Sequence, residues 1–214
     1  MSGGITVTVN VAMSLNGMIA GANGRRVRIS GTEDLKRVHN LRASSDAILV
    51  GANTIINDNP FLTVDPRYSK SSKLPARVIL DINLTSPRDS NVYRSPGQRT
   101  LLFTSRDASE YGGAEVIRKN PEELTIEGVL KQLKNMGFKN ILVEGGRNVI
   151  SQFLHAGLVD IFTLYVGNIL IEAGGMPLFS PDQELEVRVL GTSTLGNGVV
   201  INLDPQSLYH VGKP

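Results

Sequence analysis

Cysteine is absent from this chain. That excludes disulfides, thiolate nucleophiles and Cys-based metal sites together. Tryptophan is absent too, and histidine occurs only as His39, His155 and His210. Scattered in this way, the histidines lack the i, i+4 pairing with which a helix holds zinc, so no metal site is expected. Charge of one sign is scarce: 22 Lys and Arg against 20 Asp and Glu leave a formal net charge of +2. No run of like charge forms a basic arm or an acidic tail, which argues against nucleic acid as a partner. A local group of arginines could still draw a phosphorylated small molecule, although a single arginine is more often solvated surface. Long apolar runs are missing as well. None is long enough for a bilayer, and the start "MSGGITVTVNVAMS" lacks the basic flank and continuous apolar stretch of a signal peptide. The expectation is a soluble, cytoplasmic protein without membrane contact. With 41% hydrophobic residues it has enough apolar material for one sizeable core, so residues 1–214 are read as a single domain.

What is present is a regular alternation of strand-like and helix-like segments. "ITVTVNVAM" at residues 5–13 is rich in β-branched residues and reads as a strand. "GTEDLKRVHNLRA" carries Leu35, Val38 and Leu41 near helical spacing. "DAILVG" reads as a strand, "ANTIIND" as a short helix stopped by the turn signal "NDNP", and "ARVILDINL", "RTLLFTS" and "AEVIR" as further strands. "IEGVLKQLKNMG" puts Val129, Leu130, Leu133 and Met136 on one helical face, with Gly137 at its end. The strand "NILVE" and the helix "NVISQFLHAG" follow. "DIFTLYVGNILI" and "EVRVLGTSTLGNGVVINL" close the chain as strands, with "LGNG" a hairpin candidate. The fold class is therefore α/β: a central, mostly parallel sheet with an antiparallel C-terminal edge and helices on both faces. The polar "DPRYSKSSKLP" reads as an exposed loop, and "SLNGMIAG" as an Asn-Gly turn.

In open α/β sheets ligands bind beyond the carboxyl ends of the strands. Two strand-to-helix junctions carry glycine there: "AILVG" before "ANTIINDNP", and "NILVE" before "GGRNVI". Glycine permits a sharp turn and close approach of backbone to a ligand, and the next helix offers free N–H groups suited to phosphate. Neither junction is a GxGxxG or Walker loop. From the residues alone, "EGG" is equally well a tight turn with no ligand. Glu144 tips the balance slightly, because a carboxylate ending an apolar strand must be solvated, paired or turned toward a ligand.

Four blocks in this order, "MSLNGMIAG", "LRASSDAILVGANTIINDNPFLTV", "RVILD" and "ILVEGGRNVI", resemble the reductase of riboflavin biosynthesis. That family also supplies the C-terminal half of bifunctional deaminase–reductases. The resemblance covers nearly the whole chain. It implies a dihydrofolate-reductase-like fold, a nicotinamide cofactor (NADPH, with NADH open) and a homodimer. The implied reaction reduces the ribosylamino side chain of 2,5-diamino-6-ribosylamino-4(3H)-pyrimidinone 5′-phosphate to the ribitylamino form. The deaminase half uses a cysteine-containing zinc site, so a chain without cysteine resembles the stand-alone reductase. Carried over by motif, Thr54 and Asp58 are expected at the cofactor, as are Gly145, Gly146, Arg147, Asn148 and Val149 around its pyrophosphate and nicotinamide. Asp81 and Ile82 are expected near the adenosine ribose, and Leu124 near the adenine. Glu144 is expected on the substrate, where it orients the reacting group and assists its protonation. Arg42 is the candidate for the substrate phosphate, and Asn16 and Leu62 are placed on the same side.

The chain departs from the family in two places. Bifunctional relatives often read "DSxLR" where this chain has "DINLT", so Ile82 and Thr85 stand where a serine and an arginine would meet a 2′-phosphate. Asn16 stands where many relatives have aspartate. Two other readings are kept: a folate-type or other pterin or pyrimidine reductase, and a nucleotide-binding protein without catalysis.

Overall fold

The computed structural model describes residues 4–179 and 186–208. His210 lies outside them. Along the chain run β1 (Thr6–Met13), β2 (Met18–Ala20), α1 (Thr32–Ser44), β3 (Ala47–Gly51), α2 (Ala52–Asp58), β4 (Ala76–Leu80), α3 (Asn91–Arg94), β5 (Thr100–Thr104) and β6 (Glu115–Arg118). Then come α4 (Ile126–Asn135), β7 (Asn140–Gly145), α5 (Arg147–His155), β8 (Ile161–Val166), β9 (Met176–Pro177), β10 (Val189–Leu195) and β11 (Gly198–Leu203).

Nine strands form one sheet in the order β10-β11-β8-β1-β7-β3-β4-β5-β6. From β8 to β6 all neighbours are parallel. β11 runs antiparallel to β8, and β10 antiparallel to β11, so the expected C-terminal edge is present. Leu195 and Gly198 pair across the Gly196-Asn197 turn, which makes "LGNG" a two-residue hairpin. The Asn-Gly turn after β1 also forms: Gly17 N–H donates to Ser14 O at 3.0 Å, with Gly17 at φ +81°.

Successive residues of one strand point to opposite faces, and the core divides accordingly. Leu49, Val78, Leu101 and Val143 pack on one face with Val129 and Leu133 of α4 and Phe153 of α5. Ile48, Ile79, Leu102 and Leu142 pack on the other with Ile55 of α2, Val92 of α3 and Leu41 of α1. Helices therefore cover both faces. Strands buried on both sides read as continuous apolar runs, which is why "AILVG" and "TLLFT" show no alternation.

Two strands are shorter than their apolar patterns suggest. β4 stops at Leu80 because the Asp81 carboxylate gathers the next residues into a turn. It accepts hydrogen bonds from Thr85 N–H (2.8 Å), Thr85 Oγ1 (3.1 Å), Ser86 N–H (2.7 Å) and Ser86 Oγ (2.6 Å). β8 ends at Val166, ahead of Gly167, where an added Cβ would lie 2.6 Å from Ile29 O. The small ribbon of β2 with β9, and the four-residue α3, have no counterpart in the sequence reading. Elements this short carry too few residues to display a period.

Candidate active site

Beyond the carboxyl ends of β1, β7, β3 and β4 opens a cavity of about 1310 Å³. A single small-molecule pocket usually measures ~300–1,000 Å³, so this one has room for two reactants side by side. β7 and the start of α5 form its floor. Gly145 sits at φ +122°, which side-chain-bearing residues rarely adopt. A Cβ on Gly146 would come within 3.3 Å of Thr54 Oγ1, so α2 and the start of α5 meet closely at this point. α5 has Gly146 as its N-cap with no side-chain capping bond, and Gly146, Arg147, Asn148 and Val149 all line the cavity. The first N–H groups of a nine-residue helix thus stand beside the cavity, the arrangement that suits a phosphate group.

Glu144, at the end of β7, is the polar centre of the site. Its two oxygens accept from Arg42 Nε and one Arg42 Nη, each at 2.7 Å, in a side-by-side fork. The other Arg42 Nη donates to Thr63 O at 3.0 Å. The side chains are 16% and 11% exposed for Arg42 and Glu144. Burial works to lower the Arg42 guanidinium, but the charge and hydrogen bonds of Glu144 outweigh it and hold the group above its ordinary value. Arg42 thus spends its donors within the protein and is not among the residues lining the cavity, whereas Glu144 is. The two residues that the sequence reading set on separate tasks are one unit.

Behind Arg42, one turn back on α1, lies His39. Its Nδ1 accepts from Asp65 N–H at 2.9 Å, and its ring stacks on Tyr68 at 5.1 Å. Burial, then the nearby Arg42 cation, push His39 below its ordinary pKa, which suits a neutral ring with an acceptor nitrogen. The 63–68 loop is thereby tied to α1 and brings Tyr68 to the cavity wall.

Of the other residues singled out from the sequence, Thr54, Asp58, Asp81, Ile82 and Leu124 all line this cavity. Burial raises the Asp58 carboxyl, with Arg26 opposing. The Asp81 carboxylate is committed to its turn, as described above. Leu62 and Asn16 stand elsewhere. Leu62 is 2% exposed and packs among Ile48, Ile79 and Leu102, because its place after "NDNPF" turns it into the core. The Asn16 amide exchanges hydrogen bonds with the Ile171 backbone, donating at 2.8 Å and accepting at 3.1 Å, and so joins the β1–β2 turn to the segment after β8. Residues that the sequence reading passed over also face the cavity: Asn10 of β1, Arg26 and Arg28 before α1, Asn57 of α2, and Tyr68. The cluster "GRRVR" at residues 24–28 is the signal in the sequence that could have found the two arginines.

A family model described as "RibD C-terminal domain" matches residues 5–201. The 2,5-diamino-6-ribosylamino-4(3H)-pyrimidinone 5′-phosphate reductase of Archaeoglobus fulgidus is 32% identical over 210 residues, covering 91% of this chain and 95% of the relative. The riboflavin biosynthesis protein RibD of Aquifex aeolicus is 30% identical over 205 residues; the match covers 91% of this chain and 56% of that protein. The chain thus spans little more than half of the RibD relative and nearly all of the archaeal one. Among solved structures, the diaminohydroxyphosphoribosylaminopyrimidine deaminase/5-amino-6-(5-phosphoribosylamino)uracil reductase of Thermotoga maritima superposes with a TM-score of 0.81 at 26% identity, over 94% of this chain and 57% of that one. The sheet order and the antiparallel edge described above are thus those of a dihydrofolate-reductase-like reductase domain. The chain belongs to the RibD C-terminal domain family.

Proposed function

We propose that this protein reduces 2,5-diamino-6-ribosylamino-4(3H)-pyrimidinone 5′-phosphate to its ribitylamino form in riboflavin biosynthesis, as an NADPH-dependent oxidoreductase. The observation that carries the reading is the meeting of Glu144, locked by Arg42, with the Gly145–Gly146 turn and the open start of α5 in one cavity large enough for two reactants. The archaeal relative of matching length bears the name of this reaction.

In this reading Gly146, Arg147, Asn148 and Val149 would hold the dinucleotide pyrophosphate, with Thr54 and Asp58 beside it. Asp81, Ile82 and Leu124 border its adenosine. The bound cofactor supplies a hydride. The ring-opened sugar of the substrate presents a C=N bond; with its nitrogen protonated from solvent water, hydride addition to carbon would leave the secondary amine of the ribityl chain. Glu144 accepts a hydrogen bond from the N–H at that bond and favours the positive charge of the protonated imine. The Arg42 fork fixes where the two oxygens point. Because Arg42 is engaged with Glu144 and Thr63, and Arg147 is assigned to the pyrophosphate, the substrate phosphate falls to two further cations that face the cavity, Arg26 and Arg28. The protein works in the cytoplasm as a homodimer. Support for the dimer comes from edge strand β10, whose Val189 and Leu190 are 52% and 61% exposed.

Glu144→Gln keeps the shape and removes the charge. It is expected to lower kcat roughly 100-fold, the scale of a lost electrostatic stabiliser of the reacting charge, with cofactor affinity nearly unchanged. Unchanged turnover would remove Glu144 from the chemistry.

A further inference from the structure

One end of the cavity is walled by Leu80, Asp81, Ile82, Asn83, Phe103 and Leu124, at the ends of β4 and β5 and before α4. None of these is a cation, and one is an acid. An acid at such a strand end commonly binds a ribose 2′-hydroxyl and turns away a 2′-phosphate. Asp81 is not free to do so: it is 2% exposed and its oxygens already accept the four bonds from Thr85 and Ser86. The loop that follows β5 is clasped onto the same wall, with Ser105 N–H and Ser105 Oγ donating to Ile82 O at 3.1 and 2.9 Å. This clasp sets Arg106 beside the cavity rim. One Nη of Arg106 donates to Asn83 Oδ1 at 3.1 Å, and the rest of the guanidinium faces solvent with no ion pair among the described residues.

We propose that Arg106, oriented by Asn83 at the rim of this wall, seats the 2′-phosphate of NADPH and sets the preference for NADPH over NADH. The inference rests on the reading of the cavity as a nicotinamide-dinucleotide site. A guanidinium offers several donors in a fixed plane and binds phosphate in a two-point fashion, while the saturated Asp81 presents no lone pair to compete for the ribose. Ile82, 45% exposed, would offer the sugar an apolar surface that does not discriminate between the two cofactors.

The test is the dissociation constant of NADPH, NADH, 2′,5′-ADP and 5′-AMP for the wild type, Arg106→Ala and Arg88→Ala. Arg88 is a second exposed cation in the segment after β4 and serves as the control. Arg106→Ala is expected to weaken NADPH and 2′,5′-ADP about tenfold, the effect of one charge-assisted contact, and to move NADH and 5′-AMP less than about twofold. Arg88→Ala leaves all four in place. Equal weakening of NADPH and NADH would make Arg106 a support of the loop only and overturn the proposal. So would an unchanged NADPH constant, or a loss of 2′-phosphate discrimination in Arg88→Ala instead. A wild type that binds neither dinucleotide would refute the cavity reading itself. A wild type that binds both, with Arg106→Ala altering neither, would refute this inference alone.

Discussion

Glu144 and Arg42 stand 102 residues apart in the chain and meet as a fork. Each had a visible reason to be singled out, "VEGG" for one and "LRA" for the other, yet nothing in a linear sequence shows that one would satisfy the other. The same holds for His39, which read as a scattered histidine and proves to anchor the 63–68 loop. Its burial makes a pH prediction. The folded-state value lies below the ordinary 6.5, so the unfolded chain takes up the proton first as pH falls. Stability is therefore fully present above 6.5 and is lost as pH drops from there toward the folded value. His39→Gln can still accept the Asp65 N–H but does not titrate. Thermal midpoints of wild type and His39→Gln at pH 7.5 and pH 5 should converge differently: the wild type loses more on acidification. Parallel losses in the two proteins would show that His39 is not the titrating group.

At the scale of elements, the apolar runs announced nearly every strand of the main sheet, and the helical spacing of Val129, Leu130 and Leu133 announced α4. Boundaries were less legible, since "DINL" continues the alternation of β4 while Asp81 in fact folds those residues back. Arg77 shows a different limit. The strand "ARVIL" carries it as its only charged residue, and it is 2% exposed. Its guanidinium donates to Phe61 O at 2.9 Å, Val92 O at 3.1 Å, Ser95 O at 3.3 Å and Thr100 Oγ1 at 3.3 Å. Burial lowers its pKa. One side chain of β4 thus ties the segment after α2, and Val92 and Ser95 in and after α3, to the sheet by supplying donors to their carbonyls. Arg77→Met fills a similar volume and takes this donor from Phe61 O and Ser95 O, while Val92 O keeps the Thr100 Oγ1 hydroxyl at 3.1 Å. It should cost about 3 kcal/mol, read as a lower urea midpoint at unchanged slope. A loss below about 1 kcal/mol would mean that water or a shifted loop satisfies the carbonyls instead.

The whole molecule places its two strand-to-helix glycine junctions on one cavity, which the alternation of strands and helices made legible and the side-chain pairing inside did not. Asn10, Arg26 and Tyr68 reach that cavity from β1 and from two loops whose paths no period records. A ligand that binds only the folded state stabilises it by mass action, by about 2.7 kcal/mol at one hundred times its dissociation constant. NADPH at that excess should raise the thermal midpoint of the wild type, and Gly146→Val should abolish the rise, since a side chain there meets Thr54. A folded Gly146→Val that keeps the full rise would place the dinucleotide elsewhere. The central claim is the reaction itself, and one measurement bears on it most directly: 2,5-diamino-6-ribosylamino-4(3H)-pyrimidinone 5′-phosphate is supplied with NADPH and enzyme, and the absorbance of the reduced cofactor is followed beside a dihydrofolate control. The account predicts loss of absorbance in step with formation of the ribitylamino product and no turnover of dihydrofolate. Cofactor binding without oxidation, or oxidation with dihydrofolate alone, would contradict it.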